Sequence, residues 1–598
     1  MKPRKTRYVL FAILGAALLL RILHWLAVRN EPFFAQLAMD SQEYDRWARE
    51  IAAGNWAGSG VFFQAPLYPY LLAVLYKVFG HILDGVYLFQ IVAAVAGIYA
   101  LYRAGRTLAG EKAGLWAAGL AAVYGGFFFY DVQIQKESLA VAIVCFLIWI
   151  LAEARLTRKI GLWLLSGVLC GFLSLLRENT LLIVPFLLIM TYRSKSRAST
   201  FLKSAGAFIL GIFLVLAPVA LRNGIMGGSY LPTTFQGGVN FYIGNNAHAA
   251  GTYQSIVPGK EIPYYERTEP IRLAEQETGR KLTPAQVSSF WLKKSLSWIR
   301  QKPWDYIKLQ AKKFVMFWSW YEWPDTVDYY YVQQKSWVLK YLTFGFGSLT
   351  ILAALGLGLV LLGRRIRLFS PVIVFLVGWL VSTVAFFLFS RYRLPAVPCL
   401  LLFAAQPFVL FFDAIKRRKS PAAALVAAGI VIAFAAPLAA RFEPRMDLVH
   451  YNLAVIYDQK GETQEAARHY REALSLNPKD FLSCLNLGII EAKQNRWQEA
   501  LQWYEKAASL EPSFEGAPIN MANIYIVLGK IPEAEAALDR ALAINSKSIE
   551  ALHSKSILAA KKGDLNEALS LNQKVLELAP EWEPALRTRA RLEGLLKK

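Results

Sequence analysis

The chain has 598 residues, 55% hydrophobic and 14% aromatic, with a formal net charge of +23. That length allows more than one domain, and so apolar a composition excludes an ordinary soluble protein. The charge is uneven: from Phe442 onward 20 Lys and Arg meet 22 Asp and Glu, whereas the first 441 residues carry 46 basic against 21 acidic. The basic excess sits in short clusters between apolar runs, where it orients a chain in a membrane. No basic face or nucleic-acid-binding module is visible, so no nucleic-acid partner is expected. Cys145, Cys170 and Cys399 fall inside apolar runs and Cys484 stands alone, giving neither a disulfide framework nor metal-ligand spacing.

In chain order, Tyr8 to Val28 is an apolar run of about 20 residues preceded by Lys2, Arg4, Lys5 and Arg7. It reads as a signal anchor with its N-terminus in the cytoplasm. A first external loop, residues 29–85, follows; its apolar run Leu67 to Phe79 is too short to cross and is expected to lie at the interface. Further spans are expected near Val86 to Tyr102, Leu115 to Phe129, Ser138 to Ala154, Ile160 to Leu176, Leu181 to Tyr192 and Phe201 to Leu221. Beyond a large external loop, residues 222–337, come Val338 to Leu362, Phe369 to Phe389, Leu394 to Phe412 and Pro421 to Ala440. The count of about eleven places every multiply basic loop on one side. Those loops carry Arg103, Arg106 and Lys112; Arg155, Arg158 and Lys159; Arg193, Lys195 and Arg197; Arg364, Arg365 and Arg367; and Lys416 to Lys419. Everything after Arg441 then lies outside the cytoplasm, on the side of the first loop.

Residues 442–598 are a repeat array of period 34: Ala466, Ala500, Ala534 and Ala568 recur at that spacing, as do Pro478 and Pro512, with Pro580 two periods on. Small residues where paired helices touch, an aromatic wedge at Tyr470 and Tyr504, and a closing proline resemble the tetratricopeptide repeat. Repeats of about 447–480, 481–514, 515–548 and 549–582 precede a capping helix. The later repeats depart, with Leu538 and Asn572 at the wedge and Ser546 in place of proline. Asn452, Asn486 and Asn520 also recur at 34, either as a ladder that would hold peptide backbone or as packing residues. The fold expected is therefore all-α: a polytopic helical membrane domain, residues 1–441, followed by an α-solenoid.

Asp40, Glu43, Tyr44 and Trp47 share one helical face. Asp-x-x-Glu is also the pattern of a capping box, in which Asp40 would accept a backbone N–H and Glu43 would reach back. The wider arrangement adds Gln64-Ala65-Pro66-Leu67-Tyr68-Pro69, an acidic second external loop with Asp131 and Glu137, and Arg391-Tyr392-Arg393-Leu394-Pro395 before a late span. Together these resemble the membrane-embedded GT-C glycosyltransferases, in the family 39 branch of protein mannosyltransferases and lipid A aminoarabinose transferases.

The resemblance covers roughly residues 1–440 and implies transfer of a sugar from a polyprenyl phosphate to an extracytoplasmic acceptor, with inversion at the anomeric centre. It implies Asp40 as general base, with Glu43 as an open second acid because Ser41 stands where the family often has one. Glu137 corresponds to the second-loop acid, with Asp131 competing. Arg391 and Arg393 take the place of the late arginine that binds the donor phosphate, although two arginines at a span end also snorkel. Arg177-Glu178 ranks lower, as a local ion pair or a further site element. The implied partners are membrane lipids, the lipid-linked donor, a protein or envelope-glycan acceptor, and a protein bound by the repeats. No cofactor or metal is called for beyond the donor. Gly237 to Asn246 is turn-rich, and the tryptophans from Trp291 to Trp323 mark one or two helices at the membrane surface. Two alternatives stand beside this: an O-antigen ligase or polymerase relative using a diphosphate-linked donor, and a non-enzymatic membrane scaffold built on the repeats. The localisation expected is the inner membrane.

Overall fold

The computed structural model describes residues 3–192, 198–260, 263–416, 420–440, 442–579 and 582–596. The expected basic cluster at Arg193, Lys195 and Arg197, most of that at Lys416 to Lys419, Arg441 and the repeat residue Pro580 lie outside the described residues. The chain divides into two units, one of Met1–Ile256 with Ile262–Pro444, the other of Val257–Glu261 with Arg445–Lys598. Both are helical, and the described residues contain no strand.

Among the described residues of the first unit, five helices are long and apolar enough to cross a membrane: Arg4–Val28, Leu83–Ala109, Glu137–Thr157, Ala198–Gly227 and Ser390–Ile415. Shorter apolar helices stand beside them, among them Ile160–Ser174, Phe346–Leu362 and Ser370–Val384. Leu67–Phe79 is a separate helix of 13 residues, as its length demands. Glycines let the helices approach backbone to backbone, the usual means of association where lipid supplies no hydrophobic drive. A Cβ on Gly167 would lie 2.0 Å from the Phe208 carbonyl oxygen, and one on Gly211 would lie 2.2 Å from that of Leu164.

Two expected runs are broken. Leu115 to Phe129 divides into helices Glu111–Ala122 and Gly125–Asp131, and Val338 to Leu362 into Trp337–Tyr341 and Phe346–Leu362. The breaks are one feature: Phe344 N donates to Val123 O (3.1 Å) and Gly125 N donates to Phe344 O (2.9 Å). Each interruption satisfies backbone groups the other exposes, the condition for non-helical chain among apolar helices. Hydropathy is blind to it.

A buried ion pair pins the first helix. Arg21, wholly buried, places Nε 2.7 Å from Asp131 Oδ2 and stacks 4.5 Å over the Phe128 ring. Asp131 also accepts from Ser138 Oγ at 2.6 Å. Its charge is thus neutralised inside the bundle, the common state of an ionisable group among apolar helices.

The long loop differs from expectation in its first part. Gly237 to Asn246 is mostly a helix, Gln236–Gly244, in which Gly238 and Gly244 admit close neighbours: a Cβ on Gly238 would lie 1.8 Å from Ser288 O. The tryptophan-rich stretch holds two amphipathic helices, Pro284–Gln301 and Pro303–Trp318, and the helix Pro263–Thr278 precedes them.

The second unit is a tetratricopeptide solenoid. Helices pair as Met446–Gln459 with Thr463–Leu476, Phe481–Lys493 with Trp497–Leu510, Gly516–Leu528 with Ile531–Ile544, and Ile549–Lys561 with Leu565–Leu578, before a last helix Glu583–Leu596. Ala466, Ala500, Ala534 and Ala568 are fully buried where paired helices meet. The turn inside each pair needs a left-handed residue, supplied by Gly461 (φ 78°), Asn495 (φ 60°), Gly529 (φ 73°) and Gly563 (φ 87°). At the wedge, Tyr470, Tyr504 and Leu538 fill the core. Asn572 is fully buried there, and neither polar atom of its amide has a hydrogen-bond partner. Such a group destabilises by about 1–3 kcal/mol. Asn572→Leu, the residue the third repeat uses at Leu538, is therefore expected to stabilise the array by about that amount. Thermal melts read by circular dichroism check it: an unchanged or lower melting temperature would show that the amide is satisfied.

Candidate active site

Helix Asp40–Ala52 is entered from Met39, whose φ of 52° turns the chain sharply, and no side chain caps the helix. The expected capping box is therefore absent: Asp40 is the first helical residue and its carboxylate points elsewhere. Gln64 Nε2 donates to Asp40 Oδ1 (3.3 Å), and Arg391 Nη1 donates to Asp40 Oδ2 (3.0 Å). The Asp40–Arg391 contact joins the first loop to the turn Ser390–Arg393. Glu43, one turn on, is partly exposed and paired with Arg46 at 2.5 Å.

Arg391 is the centre of the cluster. Buried to all but 8%, it also reaches Gln135 Oε1 (3.1 Å) and lies 3.0 Å from Asp325 Oδ2, in the long loop. Its guanidinium stands 5.2 Å from the Tyr392 ring centre, on which Arg177 stacks at 4.7 Å. Arg177 in turn forms a buried ion pair with Glu137. Glu178 accepts from Thr234 Oγ1 at 3.1 Å, so Arg177 and Glu178 are not a pair. Asp131 belongs to Arg21, which leaves Glu137 as the second-loop acid of the cluster.

Electrostatics follow from burial. Burial pushes the Asp325 carboxyl up to about 6, Arg391 pulling against it and Asp40 and Glu137 adding to it. Glu266, on helix Pro263–Thr278, is pushed up to about 7 by burial and by Asp40, although the Tyr253 hydroxyl donates to it. The Lys136 ammonium is lowered by burial, with Glu178 opposing. Burial and the charge of Asp40 hold the Tyr44 phenol well above its usual range, so it stays a donor. Buried side-chain atoms without a hydrogen-bond partner gather among these residues: Gln64 Oε1, Glu137 Oε2, Arg177 Nε, Ser390 Oγ and Arg391 Nε. Native interiors keep few such atoms, and their concentration beside Asp40 fits a place that receives a polar ligand.

Arg393 is built differently. Only 1% exposed, it donates to the carbonyls of Phe317 (3.3 Å), Ser319 and Tyr321 (3.1 Å), pairs with Glu322 at 3.0 Å and stacks 3.8 Å over Phe346. Its donors are directed to protein groups that hold the long loop. In the repeats, Asn452 is buried, while Asn486 and Asn520 are half-buried and Asn486 hydrogen-bonds the Tyr470 hydroxyl.

Gln64 was quoted in the sequence only as part of a motif, and Gln135, Asp325 and Glu266 carried no local signal; Asp325 lies in the dense stretch Trp318 to Asp325 of aromatic and acidic residues.

Residues 64–221 match the model of the dolichyl-phosphate-mannose-protein mannosyltransferase family. Residues 413–481, 451–518 and 491–556 match tetratricopeptide-repeat models. The chain thus joins a segment similar to the mannosyltransferase family to tetratricopeptide repeats. The mannosyltransferase match contains Gln64, Gln135, Glu137 and Arg177; Asp40, Asp325 and Arg391 lie outside it. No curated protein matches the chain. Among solved structures, similarity includes the MamA protein (18% identity, 25% of this chain and 80% of that one, TM-score 0.22). It also includes a tetratricopeptide repeat protein from Parabacteroides merdae (23%, 32% and 73%, TM-score 0.24). A thermophilic TPR protein from Thermus thermophilus is similar at 21% identity, over 32% of this chain and 98% of that one, with TM-score 0.23.

A raised carboxyl makes stability depend on pH with a definite sign. Folded Glu266 holds its proton up to about 7, whereas a glutamate free in water loses it near 4.5. Its contribution is complete below the lower value and lost as pH rises through the upper one. Wild-type protein in detergent is expected to melt higher at pH 5 than at pH 8, and Glu266→Gln to show a smaller difference. An identical pH slope in the variant would refute the raised value.

Proposed function

We propose that the membrane unit transfers a sugar from a polyprenyl monophosphate to an acceptor hydroxyl, with Asp40 as general base and Arg391 as the cation for the donor phosphate. The observation that carries this is the Asp40–Arg391 contact of 3.0 Å, set among buried polar atoms without partners. A donor phosphate attracts the guanidinium by charge-assisted bonds. Drawing Arg391 toward the phosphate weakens its hold on Asp40 and frees a carboxylate oxygen to take a proton. The acceptor oxygen attacks the anomeric carbon, the bond to the phosphate oxygen breaks, polyprenyl phosphate leaves, and the acceptor proton passes to Asp40. Attack opposite the leaving group inverts the centre. Glu137 holds Arg177 as a second cation facing Tyr392, and Arg393 keeps the long loop beside Arg391 rather than touching the donor. Glu43, turned toward Arg46, has no part in the proton transfer.

The test is an assay of purified protein with polyprenyl monophosphate sugars. Asp40→Asn is expected to lower turnover by about 10²–10⁴-fold, and Arg391→Ala to raise the donor KM as well as lower kcat. Full activity in Asp40→Asn would sink the base assignment, and turnover of diphosphate-linked donors only would favour the ligase alternative.

We further propose that catalysis takes place outside the cytoplasm, that the repeats lie on that side, and that they recruit the acceptor or a partner protein. The support is the alternation of basic loops with about eleven apolar runs. A fusion after Lys598 of a reporter active only outside the cytoplasm is expected to be active; activity only of a cytoplasmic reporter would overturn the orientation.

A further inference from the structure

We propose that the first tetratricopeptide repeat carries a binding site for a divalent transition metal of the Zn²⁺ class, held by His450, His469 and Glu472. His450 lies on helix Met446–Gln459, and His469 and Glu472 lie one turn apart on helix Thr463–Leu476. Three ligand atoms converge: His450 Nδ1 is 2.8 Å from His469 Nδ1 and 2.8 Å from Glu472 Oε2, and His469 Nδ1 is 3.1 Å from that same oxygen. Two imidazole nitrogens and a carboxylate oxygen are the donors that Zn²⁺ and its neighbours prefer. Ligand atoms around a tetrahedral ion with bonds of about 2.0–2.2 Å stand about 3.3–3.5 Å apart. The triangle found is slightly closed, and opening it by about half an ångström admits an ion. Water completes the fourth position.

Further observations point the same way. Glu472 Oε2 is a buried atom without a hydrogen-bond partner, while Oε1 accepts from Arg468 Nη1 at 2.7 Å. His469 is buried and lies between the Tyr457 ring (5.3 Å, interplanar angle 4°) and the His450 ring (5.1 Å, 29°), so its orientation is set by packing. The set belongs to one repeat: at the 34-residue period His450 is answered by Cys484, Pro518 and Leu552, His469 by Trp503, Ala537 and Leu571, and Glu472 by Lys506, Arg540 and Lys574. The other repeats close this junction with apolar packing and a basic rim. The first closes it with three metal-ligand types.

One contact opposes the ion and sharpens the proposal. Arg468 Nη2 lies 3.0 Å from His469 Nε2. Metal on Nδ1 leaves the ring proton on Nε2, where it would meet that donor. Arg468, whose side chain is half-exposed, must then swing away. Metal binding staples the two helices of the repeat and displaces one surface arginine.

The experiment uses full-length protein in detergent, stripped with a chelator and titrated with Co²⁺ and then Zn²⁺. One equivalent of Co²⁺ is expected, with the intense visible bands of a tetrahedral ion, displaced by Zn²⁺. His450→Ala and His469→Ala are expected to weaken binding at least about tenfold, with folding checked by circular dichroism; His469→Gln, which keeps volume and polarity, serves if an alanine variant does not fold. Arg468→Ala is expected to tighten binding. Absence of binding to folded wild type, or the same affinity and stoichiometry in the histidine variants, would overturn the site. Weaker binding in Arg468→Ala would overturn the ligation through Nδ1 of His469.

Discussion

A guanidinium with little access to water is the constraint on which the membrane unit is arranged. Arg391 cannot shed its proton and is costly to leave unpaired in a low-dielectric interior. The chain answers by bringing Asp40, Gln135 and Asp325 to it, from the first loop, the second loop and the long loop. Three segments remote in sequence thus converge on one charge. Burial first, and the nearby charge of Asp40 second, make Asp325 and Glu266 hold their protons to higher pH than exposed acids. The same crowding leaves several polar atoms without partners, a local cost that the rest of the bundle must offset.

The first helix is secured by a second charge pair of the opposite character. Arg21 and Asp131 satisfy each other, with Ser138 and backbone carbonyls taking up remaining bonds. That closed pair is structural: nothing in it is left to bind a ligand. Its presence also explains why two neighbouring acids have different surroundings. Asp131 is spent on the bundle, while Glu137, at the start of a long apolar helix, meets Arg177 and keeps one oxygen unsatisfied. Arg391 and Arg393 part in the same way, one toward the acidic cluster and the other into loop carbonyls.

The solenoid shows how a repeat tolerates variation. The alanine contacts and the left-handed turn residue recur in all four repeats because a larger side chain or a strained φ would disturb every neighbour. The wedge position is freer, passing from Tyr470 and Tyr504 to Leu538 and to the unsatisfied Asn572. His450 and His469 are a third kind of departure, polar groups at a helix junction that meet one another instead of apolar chains.

Much of this was legible in the chain itself. Apolar run lengths and a period of 34 determine an all-helical protein with a membrane part and a repeat part, because burial of apolar surface and helix pairing leave direct marks on composition and spacing. Asp40, Glu137 and Arg391 were visible as candidates, since acidic and basic residues at the ends of apolar runs are conspicuous. What they face was not. Local sequence favoured a cap for Asp40 and offered a local pair for Arg177 and Glu178; Asp40 instead meets Arg391, 351 residues on, and Arg177 meets Glu137, 40 residues back. The interrupted helices at Val123 and Phe344 and the helical Gln236–Gly244 likewise depend on partners distant in the chain, and the meeting of His450 with His469 and Glu472 depends on the pairing of two helices. Sequence determined which charges enter the apolar unit; only tertiary structure decided which of them neutralise one another, because pairing energy depends on distance in space and on lost solvent, and neither is written in residue order.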